Sequence, residues 1–265
     1  MLRLHQAIFC HPTLTRYTAN VELTPKDRLA VALDFPTANA ALDLVDQLSG
    51  TCQWFKVGME LYYATGNSLI DTLRNRGFSV FLDLKLHDIP NTVAGAVRSA
   101  TQAGASLLTI HAGGGPGMMI AAAEAATAPG SPRLLAVTVL TSMDASQLAA
   151  VGVTSSPAEQ VLRLAKLAQQ SGINGIVCSP EEIGILRSEL GNDPLLVTPG
   201  IRPIGSDIGD QKRIATPTLA IERGASMLVV GRPITRATNP AEAAESILQE
   251  IERAAGAAPQ TNRHL

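Results

Sequence analysis

The sequence predicts a single α/β domain folded as a (β/α)8 TIM barrel. Three observations predict it. Eight short runs rich in Val, Ile and Leu recur along the chain, each gap between them has room for a helix, and no shift in composition divides the 265 residues. The runs are near-continuous in apolar residues, as parallel strands covered on both faces require. A barrel of about 250 residues commonly forms one domain. The alternative, an open doubly wound sheet, needs a topological switch point, and the pattern presents none.

The strands are read at 29–34 (LAVALD), 53–58 (QWFKVG), 79–84 (SVFLDL), 105–110 (ASLLTI), 134–139 (LLAVTV), 174–178 (NGIVC), 195–198 (LLVT) and 226–231 (SMLVVG). Helices fill the gaps between them. Residues 37–48 carry Ala, Leu and Val at helical spacing, with Thr37 as N-cap. A helix over 61–76 stops at Gly77, and one over 92–102 stops at Gly104. Helices over 157–170 and 240–254 each begin with proline, which suits a first turn. The barrel is therefore placed at 26–254. Residues 255–265 read as a frayed tail. Residues 1–25 read as an N-terminal extension. Its Arg3 and Arg16, with no acidic residue before Glu22, leave a targeting segment as the other reading. Two gaps are irregular, TSMDASQLAAVGVTSS (141–156) and PGIRPIGSDIGDQKR (199–213). Long loops in a compact domain tend to be functional, and these follow strands five and seven, at the face where barrels carry their chemistry.

Composition excludes several classes. Hydrophobic residues make up 46%, enough to build a full core, so the chain is not mainly disordered. Its formal charge of −2 supplies no basic field for nucleic acid or anionic membrane. Aromatic residues, at 3%, are too few for a base-stacking surface. No apolar run approaches the ~18 residues of a membrane span. Cys10, Cys52 and Cys178 form no CxxC pair, which fits a reducing cytoplasm and neither a disulfide framework nor a zinc knuckle.

Charged residues inside apolar strands are the main functional clue. Asp34 closes the first strand, Lys56 sits late in the second, and Asp83 and Lys85 end the third. Asp83 and Lys85 are two residues apart and so point to one face. Asp88 lies just beyond, before Pro90. Buried charge is costly unless paired. Two charges of each sign at one end of adjacent strands therefore imply an alternating ionic cluster at the catalytic face. A salt-bridge network that only closes the barrel mouth is the bland alternative.

The segment DLKLHDIPNT (83–92) resembles the DxKxxDIPNT signature of the orotidine 5′-phosphate decarboxylase family. VALDF (31–35), FKVGMEL (55–61), TVLTSM (138–143), TPGIRP (198–203), GDQKR (209–213) and VVGRPI (229–234) resemble other segments of that family in the same order. The likeness spans roughly residues 26–250. It implies loss of CO2 from C6 of orotidine 5′-monophosphate to give UMP, the last step of pyrimidine nucleotide synthesis, with no metal and no cofactor. The catalytic residues it implies are Lys85 as proton donor to C6, Asp83 beside the departing carboxylate, Lys56 holding both with a ribose hydroxyl, and Asp88 completing an Asp-Lys-Asp-Lys array. For substrate binding it implies Asp34, Lys56 and Asp83 near the ribose and reacting centre, and Thr141 and Ser142 at the pyrimidine. Arg202 falls in the ligand loop, and Gln211, Gly231 and Arg232 at the phosphate. It also implies a homodimer in which Asp88 and Thr92 reach into the neighbouring site.

The short DxKxxD core is shared with magnesium-dependent phosphosugar decarboxylases and aldolases, which stand as the rival reading. Lys56 argues against them, because a cation beside the cluster disfavours a bound metal. A catalytically dead nucleotide-binding barrel is a second rival. Other residues are assigned plain roles. HAGGG (111–115) is a tight turn after strand four. His87 is structural, and His111 is a hydrogen-bonded histidine. Cys178 is a small core residue, and Arg163, Lys166 and Arg187 lie on solvated helix faces.

Overall fold

The computed structural model describes residues 23–204 and 213–257. Its strands are β1 (Leu29–Ala32), β2 (Trp54–Gly58), β3 (Ser79–Leu86), β4 (Leu107–His111), β5 (Arg133–Val137), β6 (Gly175–Val177), β7 (Leu195–Thr198) and β8 (Met227–Val230). All are parallel and pair in chain order, and β8 pairs back onto β1 to close the barrel. The helices are α1 (Ala38–Gln47), α2 (Met59–Thr65), α3 (Asn67–Asn75), α4 (Pro90–Ala103), α5 (Gly115–Ala125), α6 (Ala145–Ala150), α7 (Pro157–Gln170), α8 (Ile183–Leu190), α9 (Pro217–Glu222), α10 (Arg232–Thr235) and α11 (Pro240–Ala257). No helix among the described residues is long and apolar enough to cross a membrane.

Strand alternation divides the core in two. One set of side chains, including Ala30, Phe81, Leu107, Leu135, Val197 and Met227, fills the barrel interior. The alternate set, including Val31, Phe55, Val80, Leu108 and Leu196, packs outward under the helices. Both faces of each strand are thus apolar, which is why the sequence runs do not alternate. Gly175 shows how tightly the sheet packs: a Cβ there would lie 2.4 Å from the Leu134 carbonyl oxygen. Helix starts are capped as their sequences suggest. Thr37 accepts from the Ala40 amide, and Ser156 forms a reciprocal capping box with Glu159. Gly104 ends α4 in the left-handed conformation.

Several elements differ from the sequence reading. The helix expected over 61–76 is two helices, because Gly66 breaks it with φ 61° and ψ −151°, a conformation open to glycine. The glycine-rich turn after β4 is a 3-10 turn (Ala112–Gly114) that leads straight into α5. The loop after β5 contains α6, whose N-cap Asp144 forms a capping box with Gln147. The last helix continues to Ala257 rather than ending at residue 254, whose side chain is still buried against the fold. At the other end, folded structure starts with a 3-10 turn (Pro25–Arg28) capped by Thr24. The expected extension falls mostly on residues 1–22, outside the described residues.

Arg187 is not a solvated helix residue. Its guanidinium donates to the carbonyls of Gly191, Asn192, Pro194 and Gly224 and to the Ser226 hydroxyl. It ties the entry to β7 and the entry to β8 together, at the end of the barrel opposite the catalytic face. Arg163 is exposed as expected, and Lys166 pairs with Glu189 at 2.6 Å on the surface.

Candidate active site

The polar cluster stands at the C-terminal ends of β1, β2 and β3. In β2, Trp54 packs on the interior cluster, so by alternation Lys56 also points inward. In β3, Phe81 points inward and Asp83 follows it. Lys56 Nζ lies 3.0 Å from Asp34 Oδ1 and 3.6 Å from Asp83 Oδ2. Lys85 Nζ donates to Asp83 Oδ1 at 2.9 Å. The four form one chain of alternating sign, Asp34–Lys56–Asp83–Lys85.

Their burial is graded. The Lys56 and Asp83 side chains are 10% and 13% exposed, Lys85 is 28% exposed, and Asp34 is 63% exposed. Asp34 does not close β1 as the sequence suggested. The strand ends at Ala32, and Asp34 lies in the loop beyond, free to face an incoming group. Burial alone would push the Asp83 carboxyl up. Lys56 and Lys85 oppose this by their charge, and hydrogen bonds from Lys85 and Thr109 add to them, so the carboxyl is held below its ordinary range. Its contribution to stability is therefore complete above about pH 4, the unfolded value, and is lost as pH falls through the folded value.

The local backbone is unusual. Lys85 has φ 50°, and it is the one non-glycine residue with positive φ among the described residues. Left-handed backbone costs such a residue about 1–2 kcal/mol. Register with β4 is lost at the same place: Leu82 pairs with Leu108, but the next pair is Leu86 with Ile110. The extra residues of β3 form a bulge, a device that re-aims side chains beside active sites. Gly58 leaves room for the cluster, since a Cβ there would lie 3.1 Å from Lys56 Nζ and 3.4 Å from Asp34 Oδ1.

Beside the cluster is a cavity of about 190 Å³. Lys56, Asp83 and Lys85 form its charged wall, Thr141 is at its edge, and Phe81, Val137, Val177 and Val229 are among its apolar lining. Cys178 is part of the same lining. It is fully buried, and burial pushes its thiol up to about 12, so it is a small core residue and not a nucleophile. A larger cavity of about 330 Å³ lies to the side, between α6 and the start of α7, away from the charged cluster.

The remaining candidates divide. Asp88 is exposed and among the described residues accepts from the Ile89 amide, at 2.6 Å, while Thr92 is exposed in the first turn of α4. Within one chain neither meets the cluster. Ser142 is exposed and does not line the cavity. Arg202 is buried, and its guanidinium donates to the Ile201 carbonyl. Gly231 backs onto Asp34, where a Cβ would lie 3.7 Å from Oδ2, and Arg232 is half-buried as the first residue of α10. Gln211 falls outside the described residues.

His111 stacks against His87 with ring centroids 5.4 Å apart. Burial, then His87 and Lys85, hold it below the usual histidine range, against the pull of Asp83. Among the described residues its ring contact is with His87, tilted by 34°, and the hydrogen bond expected for it is not among its contacts.

Two features were missed in the sequence. Thr109, buried in β4, joins Asp83 to the Lys85 backbone. A lone threonine in an apolar strand carries no signal of this. The other is a buried ion pair between Arg213 and Glu182. Glu182 also accepts from the Ser179 amide at 2.7 Å and from its hydroxyl, and Arg213 donates to the Leu140 carbonyl at 3.0 Å. The pair links the segments that follow β5, β6 and β7. Glu182 and Arg213 are 31 residues apart in sequence, which hides them. Among the described residues no group of three or more His, Cys, Asp or Glu side chains could hold a metal ion.

Comparison with known proteins gives a consistent result. Residues 27–247 match the model of the "Orotidine 5'-phosphate decarboxylase / HUMPS family". A protein of Halorhodospira halophila named orotidine 5′-phosphate decarboxylase is 54% identical over 228 residues, 86% of this chain and 97% of the relative. One of Haemophilus influenzae with the same name is 53% identical over 222 residues, 83% of this chain and 96% of that one. The crystal structure of orotidine 5′-phosphate decarboxylase from Lactobacillus acidophilus superposes with a TM-score of 0.76 at 42% identity, covering 85% of this chain and 99% of that one.

Breaking the buried Arg213–Glu182 pair by Arg213→Met leaves a carboxylate without its partner. It should cost about 3–5 kcal/mol. Replacing both residues with methionine should cost less than either single change. Urea unfolding checks both, and equal costs for single and double variants would contradict the pairing.

Proposed function

The chain belongs to the orotidine 5′-phosphate decarboxylase / HUMPS family, and from that premise we propose that it converts orotidine 5′-monophosphate to UMP and CO2, closing pyrimidine nucleotide synthesis in the cytoplasm. One observation carries the reading: Lys85 Nζ is held 2.9 Å from Asp83 on the charged wall of a cavity whose remaining lining is mostly apolar.

The C6–carboxylate bond breaks and CO2 leaves. Its electron pair stays on C6, in the plane of the ring, where the π system delocalises it poorly. The site must then supply fixed charge and a proton. Lys85 does both: its ammonium faces the developing charge and transfers a proton from Nζ to C6. Solvent returns that proton to Lys85. Asp83 sits beside the departing carboxylate, and Lys56 holds Asp83 and Asp34 in place. Because both lysines are already paired, little rearrangement is needed as charge develops. Asp34, in its loop beyond β1, takes a ribose hydroxyl. Thr141, which lines the cavity, faces the pyrimidine, and Ser142, outside the cavity lining in this structure, is left without that role.

The cavity is smaller than the ~300–1,000 Å³ of a typical ligand pocket. It suits the ring alone, with ribose and phosphate lying toward the mouth. Phosphate binding falls to Gln211, Gly231 and Arg232 from the segments after β7 and β8, where barrels commonly hold phosphate, with Arg202 in the ligand loop beside them. The phosphate takes no part in the chemistry, so its binding energy is free to offset strain at C6.

Lys56 separates this reading from a magnesium-dependent phosphosugar reaction. Its ammonium lies between the Asp34 and Asp83 carboxylates, where a bridging cation would have to sit. The protein is proposed to act as a homodimer in which the partner subunit's Asp88 and Thr92 complete each site. Met59 and Tyr63 in α2 and Ile89 next to Asp88 are exposed apolar side chains, which supports such a surface.

Purified protein should consume the orotate chromophore of orotidine 5′-monophosphate at the same rate with and without EDTA, and Lys85→Ala should lose at least about a thousandfold in kcat. Absence of turnover, or loss of it in EDTA, would overturn the reading. Tight UMP binding without turnover would mark a binding barrel instead. Mixing inactive Lys85→Ala with inactive Asp88→Asn tests the shared site. Random exchange of subunits should restore about a quarter of wild-type activity through mixed dimers with one intact site. No restoration under confirmed exchange would place Asp88 in its own chain's site.

A further inference from the structure

The bulge in β3 leaves Lys85 with a strained backbone and an amide that the β3–β4 ladder does not serve. Leu82 to Leu86 covers four steps of β3 while Leu108 to Ile110 covers two of β4. Thr109 is the β4 residue opposite that excess. It faces the barrel interior, as Leu107 does two residues earlier, and it is 1% exposed. Its hydroxyl accepts from the Lys85 amide at 2.8 Å and donates to Asp83 Oδ1 at 2.9 Å.

A threonine hydroxyl has one proton to give. Here the proton goes to the carboxylate, so a lone pair is left for the Lys85 amide. The two bonds orient each other. Asp83 Oδ1 receives both the Thr109 hydroxyl and Lys85 Nζ, so side chain, backbone and carboxylate close into one ring of contacts. Valine has nearly the same shape and supports neither bond. It would leave the Lys85 amide buried without a partner, and an orphaned buried amide drives the backbone to rearrange.

We propose that Thr109 is a positioning residue: its hydroxyl holds the left-handed Lys85 backbone and the Asp83 carboxylate as one rigid unit, and so aims the Lys85 ammonium into the cavity. Its kinetic consequence rests on the decarboxylase reading above, but its structural consequence does not. The residues proposed for the phosphate, and Asp34 proposed for a ribose hydroxyl, lie on other segments, so the loss should fall mainly on the chemical step rather than on binding.

The test uses Thr109→Val, with Thr109→Ser as the variant that keeps the hydroxyl. A crystal structure of Thr109→Val should show Lys85 out of the left-handed region, or its Nζ withdrawn from Asp83. Lys85 unchanged at φ near 50° with its Asp83 contact intact would overturn the proposal, whatever the substrate. In the kinetic arm, Thr109→Val should lower kcat about 10- to 100-fold with KM within about threefold, and Thr109→Ser should return kcat to within about threefold of wild type. Wild-type kcat in the valine variant, or a serine variant as slow as the valine one, would also overturn it. If Thr109→Val does not fold, Thr109→Ala takes its place in both arms with the same expected and contrary results. Wild-type protein that does not turn over orotidine 5′-monophosphate would sink the functional reading alone, and the crystallographic arm would still decide the role of Thr109.

Discussion

A carboxylate held between two ammonium groups at the top of an apolar barrel is the interaction on which the site depends. Asp83 is almost out of water, with a 13% exposed side chain. An isolated carboxylate there would take up a proton rather than stay charged. Lys56 and Lys85 reverse that outcome, at 3.6 Å and 2.9 Å. Removing either lysine takes away part of that opposition to desolvation, and removing Asp83 leaves two like charges facing each other. The three groups therefore stand or fall together. They also explain the local backbone. A regular strand would alternate and place Asp83 and Lys85 as parallel side chains. The bulge and the left-handed Lys85 turn the second toward the first instead.

The rest of the fold serves to hold that arrangement still. Strand pairing fixes Lys56 and Asp83 on neighbouring strands, with Gly58 directly opposite Asp83 in the β2–β3 ladder. The interior side chains beneath are packed solid, so the cluster rests on a floor rather than over a channel. Arg187 braces the opposite end of the barrel, and the Arg213–Glu182 pair braces the mouth. Bracing charges thus stand at both ends of the barrel, while the cavity-facing cluster stands at the mouth alone. Charges at the bottom and rim join loops, while the charges on β2 and β3 face the cavity.

Much of this was legible in the chain. Eight apolar runs and their spacing predict the barrel because buried parallel strands have no polar side to show. Lys56, Asp83 and Lys85 stand out because charge in such a run has to be paired. What was not legible depended on contacts distant in sequence or on single dihedral angles. Gly66 looks like any glycine in a helical stretch until its φ is known. Arg187 reads as a surface residue because its acceptors are backbone carbonyls, which leave no mark in the sequence. Thr109 is an ordinary strand residue until the bulge opposite gives its hydroxyl two partners. Asp34 was read as buried because the strand was drawn two residues too long.

The most direct test is the ionisation of Asp83 itself, followed through its side-chain carboxyl carbon by 13C NMR from pH 7 downward. An unperturbed aspartate titrates near ~3.9. The two lysines and the Thr109 hydroxyl should keep the Asp83 signal in its ionised position below that value, for as long as the protein stays folded. A signal that titrates at or above the ordinary value in the folded protein would show that burial wins over the lysines. The lysines and the Thr109 hydroxyl would then not govern the Asp83 carboxyl as described.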